Sequence, residues 1–313
     1  MDIEYLLFLQ NFRNSIHDAL TPFMEMISLF AVTYLLIVPT VVYWCIDKKS
    51  GLYTIASYNT SVAVNAVIKL TACIYRPWIR DSRVLPAGDA ITTATGYSFP
   101  SGHTTTAVPI YGGLAVCVRK VHKWIMIFCI VCMLLTAFSR NYLGVHTPQD
   151  VAVGILVGTA TLFGMSKLFK YVSAHPEKEN YFLLGGVLFG IGSIIYITLK
   201  SYPMDYVDGN LLVDPQKMMK DGYGDIGMLI AFCVARFIEK TWVKFKPVFS
   251  KDSLVTGLAG IVILFFILEI IGSPLQSWLG IHWGAFVKSF IVITFIIAVW
   301  PAVMKKTIRS DAE

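Results

Sequence analysis

The sequence predicts an all-α, polytopic integral membrane helical bundle. Two observations predict it. Hydrophobic residues fill 56% of the 313 positions and charged residues only 15%, against about a quarter charged in a typical soluble domain. The apolar residues also fall in blocks near the length of about 20 residues that a helix needs to cross a hydrocarbon core. Within such a core a helix satisfies its own backbone polar groups, so each block reads as one helical span.

Taken in order, residues 3–22 alternate apolar positions (Ile3, Leu6, Leu7, Leu9, Phe12, Ile16, Leu20) with polar ones at helical spacing. This predicts an amphipathic helix lying at the membrane interface, with residues 1–24 as the N-terminal unit. About nine spans follow, near 25–46, 53–75, 101–118, 123–139, 149–171, 181–199, 225–241, 253–273 and 281–301. Arg236 and Glu239 interrupt the inner end of the seventh, which leaves an eight-span reading open. Glu269 and Lys288 fall inside the eighth and ninth, where charge is costly, and are expected to pair. Two long loops remain, at about 76–100 and 200–224. The second is rich in Asp (Asp205, Asp208, Asp214, Asp221) and reads as a solvated connector.

Lys and Arg divide unevenly between the two sides. Sixteen, including Lys48, Lys49, Arg119, Lys240 and Lys305, lie with the loop after the first span, and nine on the other side. The excess places the first group in the cytoplasm and the loops at 76–100 and 200–224 outside. The net charge of +6 is thereby spread over short loops, which argues against a nucleic-acid footprint. None of the six cysteines forms a CxxC pair, so neither a zinc site nor a disulfide framework is indicated. The Met-Asp-Ile-Glu start has no basic stretch before an apolar core, so the first span is expected to direct insertion.

Three segments with chemical potential meet on the outer side. Lys69 and Arg76 are two helical turns apart at the end of the second span, and Pro77 turns the chain out of the helix at Arg76. An ammonium and a forked guanidinium together suit a phosphate dianion. Pro100, Ser101 and Gly102 open the third span, so its free amides, the Ser101 hydroxyl and the close approach allowed by Gly102 make an anion site with His103 beside it. Thr147, Pro148 and Asp150 form a helix start that sets His146 just before the fifth span. The Asp150 carboxylate then reaches back to one ring nitrogen and leaves the other as a nucleophile. Arg140 adds a third cation.

Lys69 with Arg76-Pro77, then Pro100-Ser101-Gly102-His103, then Ser139-Arg140 with His146 and Asp150, resembles the signature of the type 2 phosphatidic acid phosphatase superfamily, over residues 69–150. The resemblance implies a six-helix phosphatase core plus about three extra C-terminal spans, with the core's first five spans in 25–175 and the bundle completed by 176–313. It implies His146 as the nucleophile that takes the phosphoryl group, Asp150 as its orienting partner and His103 as the general acid. Lys69, Arg76, Ser101, Gly102 and Arg140 become the phosphate-binding set. It implies no metal or other cofactor, a phosphorylated lipid as substrate, the bilayer as surroundings and no nucleic acid. The substrate stays open among phosphatidic acid, phosphatidylglycerol phosphate, an isoprenyl (pyro)phosphate and a sphingoid phosphate. The Lys69–Arg76 spacing fits the lipid branches better than the glucose-6-phosphatase pattern. A lipid phosphotransferase using the same phosphohistidine, or a non-enzymatic lipid transporter, are the alternative readings.

Overall fold

An apolar run hides its backbone from lipid by coiling, and long helices occupy every expected span. In the computed structural model, which describes residues 2–310, these are α1 (Asp2–Ser15), α2 (Thr21–Thr33), α3 (Ile37–Ile46), α4 (Lys48–Ala72), the single turn α5 (Pro77–Arg80), α6 (Gly102–Val118), α7 (Lys123–Tyr142), α8 (Pro148–Ala174), α9 (Glu179–Leu199), α10 (Pro215–Ile238), α11 (Lys251–Ile270) and α12 (Gly272–Thr307). The protein is an all-α, multi-pass membrane bundle.

Among the described residues, five helices (α7, α8, α9, α11 and α12) are long and apolar enough to cross a membrane alone, or six if the α2–α3 pair, bent by 44°, counts as one. The sequence led to an expectation of about nine. The difference lies in α4, α6 and α10. Helix α6 has only 17 residues and carries buried Thr104 and Thr105, α4 carries buried Thr54, Ser57, Asn59, Ser61 and Asn65, and α10 carries Lys217, Lys220, Asp221, Asp225 and Arg236. Polar helices at membrane depth are tolerated where other helices surround them. Here α4 packs against α6, α8 and α10, and α10 also packs against α9 and α12.

Small residues set the close approaches that position the site. A Cβ at Gly158 of α8 would stand 2.6 Å from the Val108 Cβ of α6, and one at Gly154 would stand 2.9 Å from the Thr104 Cβ. Glycine therefore lets α6 and α8 touch near their N-termini. There the Ser101 amide donates to the Asp150 carbonyl at 3.0 Å, joining the two helix starts.

Three sequence expectations change. The amphipathic segment 3–22 is not one helix: α1 ends at Ser15, and His17 and Asp18 take positive φ. Its buried face docks on protein, with Arg13 donating to the carbonyls of Tyr142 (3.2 Å) and Leu85 (2.8 Å), while Phe8 and Phe12 stay exposed. The second loop is shorter than expected. Strands β1 (Tyr206–Val207) and β2 (Asn210–Leu211) form a small hairpin, and Asp214 then caps α10 with Pro215 in the first turn. Residues 215–224 are thus helix. Glu269 and Lys288 do not pair; Glu269 is exposed.

The charges that interrupt α10 have partners instead. Glu239 is wholly buried and accepts from Lys48 at 2.5 Å, from Arg236 and from the Phe245 amide at 2.9 Å. Arg236 and Lys240 also reach Glu179, at 2.8 and 3.2 Å. This network ties α4, α9 and α10 together at the end of the bundle away from Lys69.

Candidate active site

Helix α4 ends earlier than Pro77 alone dictates. Cys73 adopts a left-handed conformation and caps the helix after Ala72, and Arg76 is extended. Lys69 and Arg76 then hold the loop before α6 from two directions. The Lys69 ammonium donates to the carbonyls of Tyr97 (3.0 Å), Ser98 (3.3 Å) and Pro100 (2.7 Å). Arg76 donates from Nε to Gly96 (3.1 Å) and from its terminal nitrogens to Thr95 (2.9 Å) and Val145 (3.0 Å). Carbonyls that would otherwise be buried without partners are satisfied by the two cations. Burial lowers Arg76 to about 10, opposed by Asp150, so it stays charged at neutral pH.

Arg76 also fixes the chemistry of His146. Its NH1 lies 2.8 Å from His146 Nε2. A guanidinium only donates, so Nε2 must accept and the ring proton belongs on Nδ1. Nδ1 lies 3.4 Å from both Asp150 Oδ2 and Ser98 Oγ. Asp150 Oδ2 accepts much closer bonds from Ser98 Oγ (2.5 Å) and the Thr147 amide (2.8 Å). The carboxylate therefore caps α8, binds Ser98 and orients the imidazole together. His146 sits between α7 and α8, and burial followed by the charges of Arg76, Arg140 and Lys69 pushes it well below its ordinary value. A neutral ring whose Nε2 lone pair faces the cations is suited to attack an electrophilic phosphorus.

At the start of α6, the Ser101 hydroxyl accepts from the Thr104 amide (3.4 Å) and the Thr104 hydroxyl (3.0 Å) as the helix cap. A Cβ on Gly102 would meet nothing nearer than the Asn65 amide at 4.0 Å. His103 is buried, and its Nε2 has no hydrogen-bond partner. Arg140 is buried as well. It donates to the Ser28 hydroxyl of α2, while its Nε and NH2 are unpartnered. The His146 and Val145 amides both donate to the Arg140 carbonyl, at 3.2 Å.

Of the sequence-predicted residues, Lys69, Arg76, Gly102, His103 and His146 line one cavity of about 160 Å³. Ser101, Arg140 and Asp150 do not line it. Asp150 supports the ring of His146 from behind, Ser101 serves the helix cap, and Arg140 anchors the turn that presents His146. The cavity also takes Asn65 from α4 and Asp225 from α10, which had no assigned role, and Asp221 of α10, which the sequence placed in a solvated connector. Ser98 was likewise given no role. The only local signal for it was its place just before Pro100, since its partner lies 52 residues on. For Asp221 and Asp225 the signal was their four-residue spacing behind an Asp214-Pro215 helix start.

Residues 50–174 match the PAP2 superfamily model. This segment is similar to the PAP2 superfamily, and the rest of the chain lies outside the match. Among curated relatives, undecaprenyl-diphosphatase of Sulfolobus acidocaldarius is 31% identical over 36% of this chain and 52% of its own length. Phosphatidylglycerophosphatase B of Bacillus subtilis is 31% identical over 36% of this chain and 55% of its own length. Glucose-6-phosphatase catalytic subunit 1 of Haplochromis nubilus is 27% identical over 45% of this chain and 46% of its own length. The chain thus spans about half the length of these relatives. No solved structure gives a significant match. The PAP2 segment holds α4, α6, α7 and α8, and so all the motif residues, whereas α10 lies outside it.

Proposed function

We propose that this protein is a lipid phosphate phosphohydrolase working through a phosphohistidine at the extracytoplasmic membrane face. One observation supports it above the others: Lys69, Arg76, Gly102, His103 and the accepting nitrogen of His146 share one small cavity. The names of the bacterial and archaeal relatives, which include a phosphatidylglycerophosphatase and an undecaprenyl-diphosphatase, support a phosphorylated lipid. The excess of Lys and Arg in the loops on the Lys48 side supports placing the cavity, at the opposite end of α4, outside.

The substrate enters sideways from the outer leaflet. Lys69 and Arg76 take the phosphate dianion, with the first amides of α6 as further donors. His146 Nε2 exchanges its Arg76 N–H for phosphorus. The nitrogen–phosphorus bond forms as the bond to the leaving oxygen breaks, and His103, which takes up a proton as the phosphate dianion binds beside it, gives that proton to the leaving oxygen. Asp150 and Ser98 stabilise the positive ring from the Nδ1 side. Water then attacks the phosphohistidine, His103 takes the water's proton, and the nitrogen–phosphorus bond breaks to release inorganic phosphate.

The test is His146→Ala in purified, detergent-solubilised protein. Phosphate release from phosphorylated lipids disappears, while vanadate still binds and raises the melting temperature. Retained turnover in that variant rules the mechanism out. Running the wild type with and without an added lipid alcohol separates transfer to water from transfer to a second acceptor.

A further inference from the structure

Asp221 and Asp225 stand one turn apart on α10 and line the cavity that holds Lys69, Arg76 and His146. Neither carboxylate has a hydrogen bond or an ion pair among the described residues. Asn65, one turn before Lys69 on α4, lines the same cavity. It is only 3% exposed, and its Oδ1 has no partner. Hydrogen-bond acceptors on two helices therefore face the space beside the phosphate-binding cations, with Asn65 buried, Asp225 half-buried and Asp221 at the exposed rim. A buried amide oxygen without a partner is costly to keep, and a ligand donor offsets that cost.

Charge narrows the choice of ligand. Lys69 and Arg76 are the cations that line the cavity. One phosphate dianion matches them, whereas the further negative charge of a diphosphate would lie against the acidic face of α10, where the neighbouring carboxylates of Asp221 and Asp225 repel an added anion even when they share a proton. Like charges placed together are a standard device for refusing a wrong partner.

We propose that Asp221, Asp225 and Asn65 form a subsite for the leaving alcohol, accepting hydrogen bonds from a hydroxyl or ammonium group within a few bonds of the scissile ester. The substrate class is then a phosphomonoester of a polyol or amino-alcohol lipid, and diphosphates are turned away. This inference rests on the phosphatase reading of the same cavity.

The experiment compares kcat/KM of the purified full-length protein on four substrates with the same short tail: an alkyl phosphate with no other donor, a glycerol monoester with a free hydroxyl, an amino-alcohol monoester, and an alkyl diphosphate. A donor-bearing monoester is turned over about 10-fold or more faster than the donor-free one, as one hydrogen bond to a charged group allows, and the diphosphate is slowest. The better of the two donor-bearing substrates identifies the donor. In the D221N/D225N variant, and more weakly in Asp225→Asn, the preference for monoester over diphosphate shrinks by about 10-fold. A wild-type protein that cleaves the diphosphate as well as the donor-bearing monoesters overturns the subsite while leaving the phosphatase reading intact. So does an unchanged ratio in folded D221N/D225N. Failure to release phosphate from all four substrates sinks the phosphatase reading, and the subsite with it.

Discussion

Ser98→Ala tests whether His146 is held from behind by a shared network rather than by Asp150 alone. The Ser98 hydroxyl donates to Asp150 Oδ2 at 2.5 Å and stands 3.4 Å from His146 Nδ1, the same distance as the carboxylate itself. Its removal takes one close donor from a buried carboxylate and one acceptor from the ring N–H. A hydrogen bond to a charged group contributes about 1.5–3 kcal/mol, and each 1.36 kcal/mol of barrier is about tenfold in rate. The expected loss in kcat is therefore about 10- to 150-fold. KM should hold, because phosphate binding depends on the Ser98 backbone rather than on its side chain. The Ser98 carbonyl accepts from Lys69 at 3.3 Å and its amide donates to Ile74 at 2.7 Å, and alanine keeps both. The assay is steady-state phosphate release from a water-soluble short-chain lipid phosphate, with the folded fraction checked by gel filtration in detergent. Ser98→Thr restores the hydroxyl and should recover much of the lost kcat. An unchanged kcat in Ser98→Ala, or a loss confined to KM, refutes the network.

Other outcomes follow from the same geometry. Lys69→Met should raise KM by about 100-fold and also lower the melting temperature, because the carbonyls of Tyr97, Ser98 and Pro100 lose a partner worth about 1–3 kcal/mol each; a change in KM with unchanged melting would mean that Lys69 only binds substrate. Glu239→Gln leaves Lys48 and Arg236 facing a neutral group and should cost about 3–5 kcal/mol of stability, read by thermal unfolding, without changing turnover per folded molecule. His146 titrates below its unfolded value of about 6.5. Its burial as a neutral ring therefore costs nothing above pH 6.5, and stability is lost as pH falls below 6.5 toward the depressed folded value, because the unfolded chain takes up the proton first. Melting curves of wild type and His146→Ala should accordingly converge or cross as the pH is lowered from 7 to 5, and a constant gap across that range contradicts a buried neutral ring.

Much of this molecule was legible in the sequence because its signals are local. Apolar blocks marked the helices, and Thr147-Pro148 with Asp150 announced a capping box that forms as expected. What stayed hidden depends on contacts between segments distant in the chain. Hydropathy treats every helix as if it faced lipid, yet α4 lies among α6, α8 and α10, α6 among α4, α7 and α8, and α10 among α4, α9 and α12, so their polar residues weaken the hydropathy pattern without breaking the bundle. Residues 215–224 looked like loop because Lys217, Lys220, Asp221 and two glycines interrupt the apolar pattern, whereas packing decides otherwise: Gly222 fits beneath Leu70 of α4, where a Cβ would stand 2.7 Å from Leu70 Cδ1. That contact turns the first part of α10 toward Lys69.

The two ends of α10 explain why a helix outside the PAP2 segment belongs to the site. At one end Arg236 and Glu239 join it to Lys48 at the start of α4 and to Glu179 of α9. At the other, Gly222 lies against Leu70 near the end of α4. A helix held at both ends by the same neighbour has little freedom to slide, so Asp221 and Asp225 keep a set height relative to Lys69 and Arg76. Loosening the far end should therefore reach substrate choice only if α10 shifts along α4. Because three cationic side chains and a backbone amide converge around Glu179 and Glu239, single charge losses there are expected to lower stability first and selectivity hardly at all. A change in substrate ranking with unaltered melting in Glu239→Gln would show that α10 moves as a lever rather than standing as a fixed wall.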